Sequence, residues 1–168
     1  MAEINLLEFF KTGQFGPVKI GTTRSEVKAL LGMPDNQTSP NLWEYGGVEL
    51  HFDPTTSPNP DTHALIQITF KPVYLAVPEK WQTDIIPWVF GSYFGPTQQE
   101  LKKALMQAAI SYTDYKQPPT SGKENGRYPK SNWLYSASHE ISGTLYLPSG
   151  VSASYGKDDL IINVELSQ

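Results

Sequence analysis

The sequence predicts an α+β protein made of two tandem helix-helix-three-stranded-meander units, sharing an antiparallel sheet with helices packed on one face. Three observations predict it. Short segments of the first half recur in the same order in the second, each half carries a Thr-x-x-Glu helix start, and each then changes from helical to alternating hydrophobic periodicity. The predicted units are residues 1–77 and 78–168 of one body.

The first unit opens on a helix over Ile4 to Lys11, stopped near Gly13. The run Leu6-Leu7-Glu8-Phe9-Phe10 ending at Phe15-Gly16-Pro17 parallels Ile85-Ile86-Pro87-Trp88-Val89 ending at Phe94-Gly95-Pro96, so a counterpart helix is expected over Ile85 to Phe90. Thr23-x-x-Glu26 and Thr97-x-x-Glu100 are capping boxes. In each the Thr hydroxyl accepts from an orphan amide at the helix start and the Glu reaches back. Val27, Leu30 and Leu31 make one apolar face, and Gly32-Met33-Pro34 supplies the stop. Leu101, Ala104, Leu105 and Ala108 make the matching face in the second half.

Strands follow each helix. Trp43 to Tyr45, Gly46-Gly47 and Val48 to Phe52 form a hairpin signal, because paired glycines supply the positive φ of a tight turn. Closure there pairs Tyr45 with Val48 and Trp43 with Leu50, and Ile66, Ile68 and Phe70 continue the apolar face as a third strand. The second half repeats the plan with a strand to Leu147, a turn at Pro148-Ser149, Val151 to Tyr155, a turn over Gly156 to Asp159, and Leu160 to Leu166. Trp43, Tyr45, Phe52, Phe70, Tyr146 and Tyr155 are expected to point inward. Val73, Leu75 and Val77 alternate as a strand leading into the connection, and Gln117 to Lys130, rich in Pro and Gly, reads as a long surface loop.

Composition excludes several functions. With 168 residues the chain buries a core without covalent staples, and its lack of cysteine removes disulfides, thiolate metal sites and a Cys nucleophile. A net charge of -4 gives no basic stripe for nucleic acid. No run approaches the ~20 apolar residues of a membrane span. Met1-Ala2-Glu3 also lacks the positive start of a secretory signal, so a soluble, cytoplasmic protein with no membrane partner is expected. Nucleophile-elbow and phosphate-loop motifs are absent, and no cofactor is predicted.

The segment Ile20 to Pro34, followed by Leu42-Trp43-Glu44-Tyr45, resembles the SmpA/OmlA (BamE-like) family and the wider β-lactamase-inhibitor-protein-like fold. The resemblance implies a small non-enzymatic module that binds other proteins. The lipidated cysteine of the outer-membrane members has no counterpart here, so their membrane role is not carried over.

Three functional classes follow. The first is a protein-binding module, immunity-like or inhibitor-like, with Tyr112, Tyr115, Tyr128, Trp133 and Tyr135 as anchors in or beside the long loop, since Tyr and Trp dominate binding hot spots. The second is a metal-binding protein or metal-dependent hydrolase. His51-Phe52-Asp53 and Asp61-Thr62-His63 are placed symmetrically about Pro54 to Pro60, so a hairpin centred there sets His51 opposite His63 and Asp53 opposite Asp61. The third is a small-ligand carrier with a cleft between the units.

Overall fold

A computed structural model describes residues 6–45, 48–55, 57–70, 97–116, 141–156 and 159–168. One eight-stranded, wholly antiparallel sheet dominates the described residues, with three short α-helices beside it. In chain order these are α1 (Leu6–Thr12), α2 (Arg24–Leu31), β1 (Asn36–Ser39), β2 (Leu42–Tyr45), β3 (Val48–Asp53), β4 (Ala64–Phe70), α3 (Gln98–Gln107), β5 (Thr113–Lys116), β6 (Ile141–Tyr146), β7 (Ser152–Gly156) and β8 (Ile161–Ser167). A 3-10 turn, Pro60–Thr62, precedes β4. The strand order is β1-β2-β3-β4-β8-β7-β6-β5, so β4 and β8 meet at the centre and β1 and β5 form the edges.

This corrects the predicted fold class. Two units of three strands with helices packed on one face are not what forms; a single sheet of eight strands does, four from each side of the central β4–β8 seam. The uncounted strands are the edges. Asn-Gln-Thr-Ser in β1 is exposed throughout, and Thr-Asp-Tyr-Lys in β5 nearly so. A strand that buries neither face has no reason to alternate, so hydrophobic periodicity misses it. The expected strand over 73–77, helix over 85–90, junction at 77/78, Gly46-Gly47 turn and loop over 117–130 lie outside the described residues.

Local chemistry sets the two longer helices. Thr23 accepts from the Glu26 amide while Glu26 accepts from the Thr23 amide, and Thr97 and Glu100 do the same. Each Thr also bridges to the residue at the start of a central strand, Thr23 to Ala64 and Thr97 to Leu160. The caps therefore fix where each helix leaves the sheet as well as where it begins.

The core is continuous. Phe9 and Phe10 of α1, Val27 of α2 and Leu101 and Leu105 of α3 are buried in one cluster with Trp43, Leu50, Phe52, Leu65, Ile68 and Phe70 of the first four strands and Leu145, Ala153, Tyr155, Ile161 and Val164 of the others. Tyr45 pairs with Val48 and Trp43 with Leu50, as the hairpin reading expects. Phe9, Phe15 and Phe70 pack with ring centroids 5.0 to 6.4 Å apart, within the range of favourable aromatic contacts. The Arg24 guanidinium carbon lies 4.6 Å from the Trp43 ring centroid and 5.9 Å from that of Phe52, closing the core beside α2 with a cation over aromatic faces.

Candidate functional site

Strand alternation splits the sheet into an apolar face, which lines the core, and a polar face. In β3, Val48, Leu50 and Phe52 are buried while Glu49, His51 and Asp53 are half-buried on the other side. Cross-strand register extends that alternation into a row that crosses every strand. Asn36 lies opposite Glu44, Glu44 opposite Glu49, Glu49 opposite Thr69, Thr69 opposite Glu165, Glu165 opposite Ser152, Ser152 opposite Tyr146 and Tyr146 opposite Thr113. Shorter flanking rows run Leu42, His51, Gln67, Ser167 and Asn163, Ser154, Thr144, Tyr115.

Side chains in these rows bond mainly along the sheet surface. Glu44 accepts from Asn36 Nδ2 at 3.1 Å and from Thr38 Oγ1 at 2.5 Å. Gln67 donates to Thr69 at 3.2 Å, Thr144 and Ser154 share a bond of 3.1 Å, and Asn163 donates to Glu165 at 3.4 Å. His51 Nε2 stands 3.5 Å from Glu49 Oε2. Thr69 and Thr144 are buried within this surface. Two carboxylates, Glu44 and Glu49, face each other directly, an arrangement that by itself destabilises a sheet.

Charge divides with the faces. The three rows hold Glu44, Glu49 and Glu165 and no Lys or Arg. The described cations belong to other parts: Lys11 to α1, Lys19 to the following turn, Arg24 and Lys28 to α2, Lys102 and Lys103 to α3. Lys116 alternates with Tyr115 in β5 and so takes the opposite face.

Among the described residues, Tyr115 and Tyr146 are the exposed tyrosines of the polar face, 56% and 53% exposed. Since Tyr146 lies opposite Thr113 and Tyr115 opposite Thr144, the two tyrosines are diagonal neighbours across β5 and β6, within reach of one another. Tyr115 is among the predicted anchors. Tyr112 is half-buried against the core instead, and Tyr128, Trp133 and Tyr135 lie outside the described residues. Tyr146 was expected to point inward and points out. Leu145 and Leu147 on either side of it are both buried, and that flanking pair is the sequence signal for the true alternation.

The residues of the predicted metal cluster are not brought together. β3 and β4 pair in a different register, with His51 opposite Gln67 and Asp53 opposite Ala64 on either side of a one-residue bulge. Asp61 is exposed in the 3-10 turn, where its amide donates to Asn59 Oδ1. His63 caps that turn, buried, with Nε2 2.9 Å from the Ser57 carbonyl. Asp53 closes its own turn, accepting from the Thr55 hydroxyl at 2.6 Å and amide at 2.7 Å. These bonds, with a smaller contribution from His63, hold its carboxyl below the usual range. Among the described residues no group of three or more His, Asp or Glu is placed to hold a metal ion. Local turn chemistry has claimed the groups that the symmetric hairpin was expected to share.

Among the described residues no helix is long and apolar enough to cross a membrane. No family model matches the chain, and neither a curated protein nor a solved structure matches it.

Proposed function

We propose that this protein is a non-enzymatic protein-binding module, immunity-like or inhibitor-like in type, that docks its partner on the polar face of the sheet. The carrying observation is the diagonal pair Tyr115 and Tyr146, more than half exposed on adjacent strands of one face. A single exposed tyrosine is ordinary on a protein surface. Two side by side on paired strands present a large amphipathic area at little conformational cost, which is the chemistry of interface anchors. Strands hold such anchors more rigidly than loops do. The resemblance of Ile20 to Pro34 to the SmpA/OmlA family supports the same functional class.

Photo-crosslinking tests the reading. A benzophenone amino acid placed at position 115 or 146 in cells of the native organism is expected to give a discrete protein adduct, and the same probe at Lys103 on α3 is expected to give none. An identical pattern at all three positions would overturn it.

A further inference from the structure

We infer that the surface docked on this face is cationic, a protein segment rich in lysine or arginine that lies over Glu165 and Glu49. The inference rests on the docking reading above and adds the partner's chemistry to it. Strands stand about 4.8 Å apart, so the strand of Tyr146 is about 10 Å from that of Glu165 and about 19 Å from that of Glu49. A standard interface covers about 800 Å² on each partner, a patch roughly 30 Å across. A partner seated on the two tyrosines and extending toward the centre of the sheet therefore covers Glu165 and reaches Glu49.

Charge then decides what that partner can be. Apart from His51, whose Nε2 stands 3.5 Å from Glu49, every ionisable acid or base in the three cross-strand rows is a glutamate or a tyrosine, while the described lysines and Arg24 belong to the helices, the turns or the opposite face. Glu49 is only 20% exposed, so its charge is less screened than that of a solvated side chain. An acidic or phosphate-bearing surface would be repelled at Glu44, Glu49 and Glu165. A cationic one is attracted, and it also offsets the repulsion between the directly opposed Glu44 and Glu49.

The test uses the whole 168-residue chain. Peptides are selected on it from a random displayed library, and binding of the enriched peptides is compared among the natural chain, a Tyr115→Ala/Tyr146→Ala variant and a Glu49→Gln/Glu165→Gln variant of matched unfolding midpoint. The expected result is Lys- or Arg-rich peptides that lose binding in the tyrosine variant. In the glutamine variant they should weaken by up to about fivefold per glutamate, with the difference shrinking at high salt. Uncharged or acidic peptides that still require the tyrosines would overturn the cationic partner and leave the docking face standing. Enriched peptides indifferent to both variants, or no enrichment at all, would overturn both.

Discussion

The hydroxyl of Tyr155 occupies the space that a side chain on Gly143 would need. Tyr155 stands on β7 and Gly143 is its partner on β6. Because Gly143 has no Cβ, the ring crosses over β6 and its hydroxyl donates to Asp114 Oδ1 on the edge strand β5 at 2.9 Å. The second oxygen of Asp114 accepts from Lys102 of α3 at 2.7 Å. One glycine thus lets a tyrosine tie the edge of the sheet to the strand two places in.

Replacing Gly143 with Ala forces the Tyr155 ring aside and crowds the Tyr115 carbonyl. We expect a loss of about 1–3 kcal/mol, the usual cost of overpacking, read from urea unfolding. Gly21→Ala is the comparison. Its φ is +91° but its surroundings are open, so only the backbone term of about 1 kcal/mol is expected. A loss at Gly143 of less than about 1 kcal/mol would contradict a steric role for the Tyr155 crossing.

Acid should weaken the same tie. Burial works to raise the Asp114 carboxyl, but bonds from Lys102 and Tyr155 and the charges of Lys102 and Lys116 outweigh it, and the net shift is downward. A carboxyl whose folded value is depressed contributes stability above its unfolded value, about 3.9, and loses it as pH falls through the folded value. Asp114→Asn should be less stable than the natural chain at neutral pH, and the gap should close as pH drops below about 4. A gap independent of pH would contradict this.

Alkali acts through two tyrosines. Burial, followed by the bond to Asp114, pushes Tyr155 up to about 12, and burial with the nearby Asp35 charge does the same to Tyr45. Their folded values are raised, so this part of the stability is complete below the unfolded value of about 10 and is lost as pH rises toward about 12. Phenolate absorbance should show both rings ionising late. Tyr155→Phe and Tyr45→Phe should each flatten the alkaline fall in unfolding midpoint.

Arg24 over Trp43 and Phe52 is expected to contribute about 1 kcal/mol, since its stem packs and its guanidinium sits on the ring faces. Arg24→Ala should lose that amount in urea unfolding. Arg24→Lys should recover only part of it, because an ammonium does not stack as a planar group does. Full recovery by lysine would mean that charge alone matters.

Legibility in the sequence followed burial. Trp43 with Leu50 and Tyr45 with Val48 are readable because both members of each pair are buried on one face. The helix starts at Thr23 and Thr97 are readable because capping is local chemistry. The strand Asn36–Ser39 buries nothing and left no pattern to read. The β3–β4 register, with His51 opposite Gln67 and Asp53 opposite Ala64, separated four residues whose spacing in the chain is symmetric, since spacing carries no information about register. On the polar face, Tyr115 stood out by type, and Glu44 opposite Glu49 follows from the β2–β3 hairpin, whereas the step that brings Glu165 into the same row depends on β4 pairing with β8, far away in the chain.

The central seam also orders assembly in time. Phe70 pairs with Val164 and Ile68 with Leu166, so β4 acquires its second neighbour only after the last of the eight described strands has been synthesised. Until then a growing chain has β4 paired on one side only, with β3, and carrying Leu65, Ile68 and Phe70, side chains that end up buried. Such an edge is a template for pairing with another chain, and pairing across so long a stretch is slow. Exposure to aggregation is therefore expected to be greatest before β8 docks on β4.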